Sequence, residues 1–308
     1  FKTCGFTTIL SGPSTVKQYE KGIHTVMSEN ICFPAKLMHG HVYDLAKRGV
    51  DRIFYPYIVM EAPADNGVRN SYNCPIVAGY SDVIKNAIDP AEKFNIPVDS
   101  PVVSLNNEDF MRQSCLEYLK TLGVSESLAE QAIKDAVKAQ RAYIAQLHED
   151  AANIVKKAKE NDRMVVVLAG RPYHSDPLIQ HKISECLAEM GIDVVTEFIA
   201  SDKDKEVYKE LLAVTQWTYP NRVFKAAHYV ANSEDNVHFM MLTSFGCGPD
   251  AFIIDEVHDI LNRKGKSFTL LKVDDVNNIG SLRLRVRSMV ESLQFSRQLK
   301  VEKPFETT

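Results

Sequence analysis

The sequence predicts an α/β fold of two Rossmann-like lobes with mostly parallel sheets, joined by a long helical connector. Three observations predict it. Short apolar, β-like runs alternate with helical patterns through residues 1–106 and again through 161–295, the grammar of βαβ units. A continuous helical stretch, 107–160, separates the two alternations. The length of 308 residues also exceeds one average domain. The expected division is therefore a first lobe at 1–106, a connector at 107–160, a second lobe at 161–295 and a tail at 296–308.

In the first lobe, the apolar run 6–10, closed by Ser11-Gly12-Pro13, reads as a short strand. A helix follows over 14–21 and another over 34–48, with Leu37, Met38, Val42 and Leu45 as its apolar set and Gly49 as its stop. Residues 52–59, rich in Ile, Phe, Tyr and Val, read as a buried strand. Residues 75–86 read as a helix with Pro75 in its first turn, and 101–104 as a β-like run. The connector has a helical stretch at 107–122, a break at Gly123 and an amphipathic helix over 127–160. Ser127 and Glu130 offer a capping box, and Leu128, Ile133, Val137, Ile144, Leu147, Ile154 and Val155 recur at helical spacing. This helix is expected to pack across both lobes. The second lobe supplies strands at 164–169, 193–196, 237–244 and 267–273, with helices at 178–190, 206–213, 221–232, 250–263 and 281–293. Beyond Gln294 the pattern fades, and a frayed tail is expected.

Composition narrows the function classes. Hydrophobic residues at 45% and charged residues at 25% are those of a globular protein with a sizeable core. A formal net charge of −4 leaves no basic footprint, so nucleic acid is not an expected partner. No apolar run reaches the roughly 18 residues of a membrane span, and the start carries no secretory signal, so a cytoplasmic protein is expected. The chain begins without Met and close to an expected strand, which predicts a piece of a longer polypeptide. Six cysteines at wide, irregular spacings point to buried, metal-bound or reactive thiols rather than disulfides.

Ligands of open α/β sheets gather where strands lead into helices, at the carboxyl sheet edge. Three cysteines fall at such junctions: Cys32 before Pro34, Cys74 before Pro75, and Cys247 in Phe-Gly-Cys-Gly-Pro-Asp after the strongest strand. Free N–H groups at a helix start favour a thiolate, and iron–sulfur clusters are held by thiolates. The alternative is that the trio are small buried hydrophobes, which is the reading preferred for Cys4, Cys115 and Cys186. The spacing is not that of a zinc finger. Gly246-Cys-Gly-Pro-Asp-Ala251 also matches G-x-G-x-x-A, but it follows a late strand, and Asp274 and Asp275 lie too far on to serve a ribose. A tight glycine turn is therefore preferred to a dinucleotide site. The loop Arg171-Pro-Tyr-His174-Ser-Asp176 either binds an anionic group through Arg171 and His174 or caps the next helix through Asp176. Lys36, His39 and His41 either line a pocket or pack. No P-loop motif is present, so ATP hydrolysis is not expected of this piece.

Several blocks together resemble a known family: Glu29-Asn-Ile-Cys-Phe-Pro-Ala-Lys-Leu-Met-His-Gly-His41, Gly49-Val-Asp-Arg-Ile-Phe-Tyr-Pro56, Tyr72-Asn-Cys-Pro75, Leu168-Ala-Gly-Arg-Pro-Tyr-His174 and Ser244-Phe-Gly-Cys-Gly-Pro-Asp250. They look like the dehydratase-like region of large activase proteins of the 2-hydroxyglutaryl-CoA dehydratase and benzoyl-CoA reductase type. The resemblance runs from Phe1 to about Gln294. It implies two Rossmann-like lobes and one [4Fe–4S] cluster held by Cys32, Cys74 and Cys247. It also implies an ATP-dependent activase domain of the actin/hexokinase class on the same longer polypeptide. Dehydratase relatives bind acyl-CoA and remove water through a ketyl radical.

The expectation is an iron–sulfur, electron-accepting module of an acyl-CoA dehydratase/activase system, with Arg171 and His174 on the cluster-side cleft. Its rivals are a catalytic 2-hydroxyacyl-CoA dehydratase-type lyase and a docking module for an activase partner.

Overall fold

The computed structural model describes residues 1–63, 68–212, 215–274 and 279–302. Asp275 and the end of the expected tail, including Pro304, lie outside the described residues. The architecture is α/β, and among the described residues every strand pair within a sheet is parallel.

The strand expected at 6–10 does not form. After a single 3₁₀ turn at Lys2–Cys4 the chain is irregular, and Ile9 and Leu10 are exposed, Leu10 by 84%. An apolar run becomes a strand only where a neighbouring strand can take its backbone groups, and among the described residues no strand pairs with it. Helix α1 (Val16–Gly22) is capped by Thr15, whose Oγ1 accepts from Gln18 N at 3.1 Å. Helix α2 (Phe33–Lys47) packs on it, and Gly49 follows with φ 69°. The α1–α2 contact is made through two glycines. A Cβ on Gly22 would lie 2.3 Å from Gly40 N, and one on Gly40 would lie 2.3 Å from Gln18 O. Both obstacles are backbone, so the helices themselves would have to part. Gly40→Ala is expected to cost about 1–3 kcal/mol of overpacking, read as a lower urea midpoint with unchanged slope. Wild-type stability in that variant would show that the two helices separate freely.

The strand expected over 52–59 is divided into β1 (Ile53–Phe54) and β2 (Tyr57–Ile58). Helices α3 (Pro75–Ile88) and α4 (Pro90–Phe94) follow, then β3 (Val98–Asp99) and β4 (Val102–Val103). Ile53 faces Val98 and Ile58 faces Val103, the same offset of 45 residues, so the four pieces form one interrupted ribbon. The same offset places Pro56 opposite Pro101. Tyr55 N and Tyr57 N still donate across, to Asp99 O and Pro101 O. Pro101 has no N–H to return to Tyr55 O, and the ladder breaks there.

Helix α5 (Glu108–Thr121), capped by Asn107, forms a hairpin with α6 (Glu126–Glu160). The Ser127–Glu130 capping box is not made. The helix starts one residue earlier behind Ser125, and Glu130 instead takes the Arg112 guanidinium. At 35 residues α6 is about 52 Å long. One end buries Ala129 and Ile133 against Leu116 and Leu119 of α5, and the other buries Ala151 and Ala158 on the second sheet.

That sheet contains β5 (Val165–Ala169), β6 (Asp193–Val195), β7 (Val237–Ser244) and β8 (Phe268–Val273) in the order β6-β5-β7-β8. Its helices are α7 (Ile183–Glu189), α8 (Thr218–Ala231), α9 (Gly248–Ala251), α10 (Ile254–Asn262) and α11 (Ile279–Glu302). Alternate residues serve opposite faces, as the pleat requires. Val165, Val167, Ala169, Phe239 and Met241 pack with α6, α8 and α10, whereas Val166, Leu168, Met240 and Leu242 pack with α7 and α11. Phe33 and Leu37 of α2 join the second face, so the N-terminal region shares this core. Backbone hydrogen bonds also tie it down, Tyr72 N to Gln216 O and Thr218 N to Tyr72 O.

Four helix expectations need correction. The helix expected at 178–190 is only Ile183–Glu189, because His181 and Lys182 adopt φ of 51° and 57°. That expected at 206–213 is a 3₁₀ helix, Asp202–Lys209, and Ala213 lies outside the described residues. Residues 250–263 hold two helices parted at Phe252-Ile253. Helix α11 runs on to Glu302, through much of the segment expected to fray. Among the described residues no helix is long and apolar enough to cross a membrane.

Candidate functional site

Cys32, Cys74 and Cys247 occupy the same local structure. Each is the extended residue just before a helix, at the starts of α2, α3 and α9, and each is followed by a Pro in the first two helical positions. Proline fits there because the first-turn N–H groups have no helical acceptor. The N–H groups that remain point back toward the cysteine, and Val77 N lies 3.5 Å from Cys74 Sγ. All three cysteines are half-buried. The loops carrying Cys32 and Cys247 abut at Gly246, where φ is 74° and a Cβ would stand 3.1 Å from Asn30 O. This glycine makes a tight turn at the seam.

Burial dominates the thiol chemistry. It pushes Cys247 up to about 12, with the Asp250 carboxylate adding to the shift and Arg171 opposing it. Cys32 is also raised, first by burial, with the neighbouring Cys74 adding to it and Arg171 opposing. Metal binding to such thiols releases protons, because the ligand is the thiolate.

The loop after β5 supplies the charge. Arg171 is 4% exposed, and its Nε and Nη2 donate to Asp250 Oδ1 at 3.0 and 2.7 Å. Nη2 also reaches Cys247 Sγ at 3.6 Å. Thr243 at the end of β7 donates to the other oxygen, Asp250 Oδ2, at 2.8 Å. Arg171 N donates to His174 Nδ1 at 2.9 Å, so the proton of the neutral ring sits on Nε2. That Nε2 is buried without a partner, as is Ser244 Oγ. Burial holds His174 down at about 3, so it offers a hydrogen-bond donor and not a proton at neutral pH. Gly170 makes room for it, since a Cβ there would lie 2.4 Å from His174 Nδ1. Asp176 serves the turn too, accepting from Leu178 N at 2.9 Å while its second oxygen takes Ser14 N.

The other candidates are engaged in packing. His39 is fully buried between Thr25 Oγ1 at 2.7 Å and Tyr80 OH at 2.9 Å. Thr25 already donates to Gly22 O, so His39 Nδ1 donates to Thr25 and Tyr80 donates to Nε2. His41 meets Ser14 Oγ, Ser11 Oγ and Gln18 Nε2, and Lys36 is buried. Cys4 and Cys115 line the small core under α5 and α6, and Cys186 lies buried beside Leu187. Two surface clefts, one lined by Lys47, Asp51 and Phe94 and the other by Arg163, Met190 and Arg297, contain none of the site residues.

Burial of these histidines fixes a pH response. His39 is held at about 4 and His174 at about 3, against 6.5 for the free side chain. Below pH 6.5 the unfolded chain therefore binds more protons than the folded one, and stability falls as pH drops from 6.5 toward 4. Glu197, raised by burial to about 6, opposes this between pH 6 and 4.5. The thermal midpoint is expected to drop over that window, and His39→Gln to flatten the drop. A midpoint independent of pH from 6.5 to 4 would contradict these buried neutral rings.

Asp250 and Thr243 were not singled out from sequence as site residues. Asp250 was visible in the Gly246–Ala251 motif, but nothing in a single sequence pairs it with a residue 79 positions earlier. Among the described residues, no three His, Cys, Asp or Glu side chains are placed to hold one metal ion. Thiolates on a single tetrahedral ion lie about 3.8 Å apart, from a bond of about 2.3 Å. A cuboidal cluster interposes its own iron and sulfide between its cysteines and needs them further apart. The donor set, three thiols beside helix-start N–H groups and one guanidinium, fits an anionic cluster.

No curated protein matches the sequence. The family model of the CoA enzyme activase uncharacterised domain matches residues 1–199. The matched part contains Cys32, Cys74, Arg171 and His174 and ends before Cys247 and Asp250. With well over half of its length matched, the chain belongs to the CoA enzyme activase domain family.

Proposed function

We propose that this chain is the iron–sulfur, electron-accepting module of an acyl-CoA dehydratase/activase system, with Cys32, Cys74 and Cys247 as ligands of one [4Fe–4S] cluster. Membership of the CoA enzyme activase family ties it to activases; the cluster and the dehydratase connection are the further reading. One observation carries it. Three cysteines on separate loops each stand at a helix start just before a proline, and the Arg171 guanidinium reaches the sulfur of one and acts electrostatically on a second.

When bound, a [4Fe–4S] cluster supplies one-electron chemistry and an iron open to a ligand beyond the three thiolates. The chain's own residues do the rest. Helix-start N–H groups and Arg171 stabilise negative charge on the sulfurs. His174 Nε2–H remains a buried donor without a partner. The partner expected to supply electrons is an ATP-dependent activase domain, and an acyl-CoA thioester is the expected ligand. Iron and acid-labile sulfide assayed on protein purified without air test the reading, together with EPR of the dithionite-reduced sample. About four irons and four sulfides per chain with a cluster signal are expected. Protein that stays iron-free after anaerobic reconstitution would refute it.

A further inference from the structure

We propose that Asp250 is the positioning residue of this site: it fixes the Arg171 guanidinium so that one N–H lies on the sulfur of Cys247. The inference deepens the cluster reading and rests on it for its electronic consequence, but not for its geometry.

A guanidinium on a flexible stem has many rotamers, and a buried one is placed only by what it bonds to. Arg171 donates twice to a single oxygen, Asp250 Oδ1, through Nε and Nη2, and this leaves Nη2 able to meet Cys247 Sγ at 3.6 Å. Asp250 is itself fixed. It is 1% exposed, lies in the short turn of helix right behind Cys247, and its Oδ2 accepts from Thr243 Oγ1 at 2.8 Å. Thr243 is the penultimate residue of β7. The chain of contacts runs from the sheet to Thr243, to Asp250, to Arg171 and so to the sulfur. It joins two loops 76 residues apart on the carboxyl edge of the sheet.

The carboxylate also balances charge. A lone buried guanidinium beside the thiol would favour its ionised form most strongly. Paired with Asp250 it presents a directed N–H with little net charge. The site therefore offers the sulfur a hydrogen bond more than a field. N–H···S bonds raise the potential of a cluster, because they favour the more negative, reduced form.

The test uses the whole chain and two readouts. The first is the Nε–H signal of Arg171 in the metal-free protein by ¹⁵N NMR, where a buried, bonded N–H exchanges slowly with water. The second is the midpoint potential of the anaerobically reconstituted protein. Asp250→Ala and Thr243→Val should each speed Nε–H exchange, more so for Asp250→Ala, and Thr243→Val, which leaves both charges in place, should lower the potential. Asp250→Asn keeps an oxygen acceptor and should recover part of the protection. Should Asp250→Ala not fold, Thr243→Val decides, since it keeps the ion pair and removes only the anchor. A protected Nε–H and an unchanged potential in the folded variants would overturn the proposal. If wild-type protein takes up no cluster, the functional reading fails instead, and the Nε–H signal alone decides the role of Asp250.

Discussion

Removing the sulfur of Cys32, Cys74 or Cys247 is expected to bring bound iron from about four atoms per chain to below one, whereas Cys115→Ala and Cys186→Ala retain the full complement. The two groups differ in surroundings. The first three stand half-buried at helix starts. Cys115 faces Met111, and Cys186 sits 4% exposed in the core. The core substitutions should cost about 1–2 kcal/mol of stability and nothing in iron. Iron and sulfide assays on all five variants, prepared side by side without air, check the division. Equal iron loss across the series would mean that global destabilisation, not ligation, governs the metal.

The second large effect concerns stability. The Arg171 and Asp250 side chains are 3% and 2% exposed, so neither charge can fall back on water. Asp250→Ala leaves a guanidinium buried without its partner and should lose about 3–5 kcal/mol in urea unfolding. The double variant Arg171→Met/Asp250→Leu removes both charges at similar volume and should return most of that loss. It should not return the Cys247 contact. A single variant as stable as wild type would show that the pair is solvated or that Arg171 relocates at little cost.

Much of this fold was legible in the sequence wherever local pattern and tertiary demand agreed. Strand β7 was read with its observed ends, because an apolar run bounded by turns is also what a central parallel strand needs. Helix α2 was found through its apolar spacing and Gly49. Legibility failed where a partner was required. The run at 6–10 has strand composition but no neighbour. The ribbon at 53–58 is broken by a proline on a strand 45 residues away, which no window around Pro56 reveals. The site divides in the same way. The placement of three cysteines at helix starts was legible from the prolines that follow them, a local signal. Asp250 and Thr243 were not, because their role depends on Arg171 arriving from another loop. His174 was legible as a candidate in the loop after β5, but its neutrality was not, since that follows from burial over Gly170.

The most direct test of the central claim is iron-edge anomalous diffraction from crystals grown without air. One compact iron peak is expected between the loops of Cys32, Cys74 and Cys247, with each sulfur about 2.3 Å from an iron and the Arg171 guanidinium against Cys247. Iron bound elsewhere, or a peak that leaves any of the three sulfurs without an iron, would contradict it.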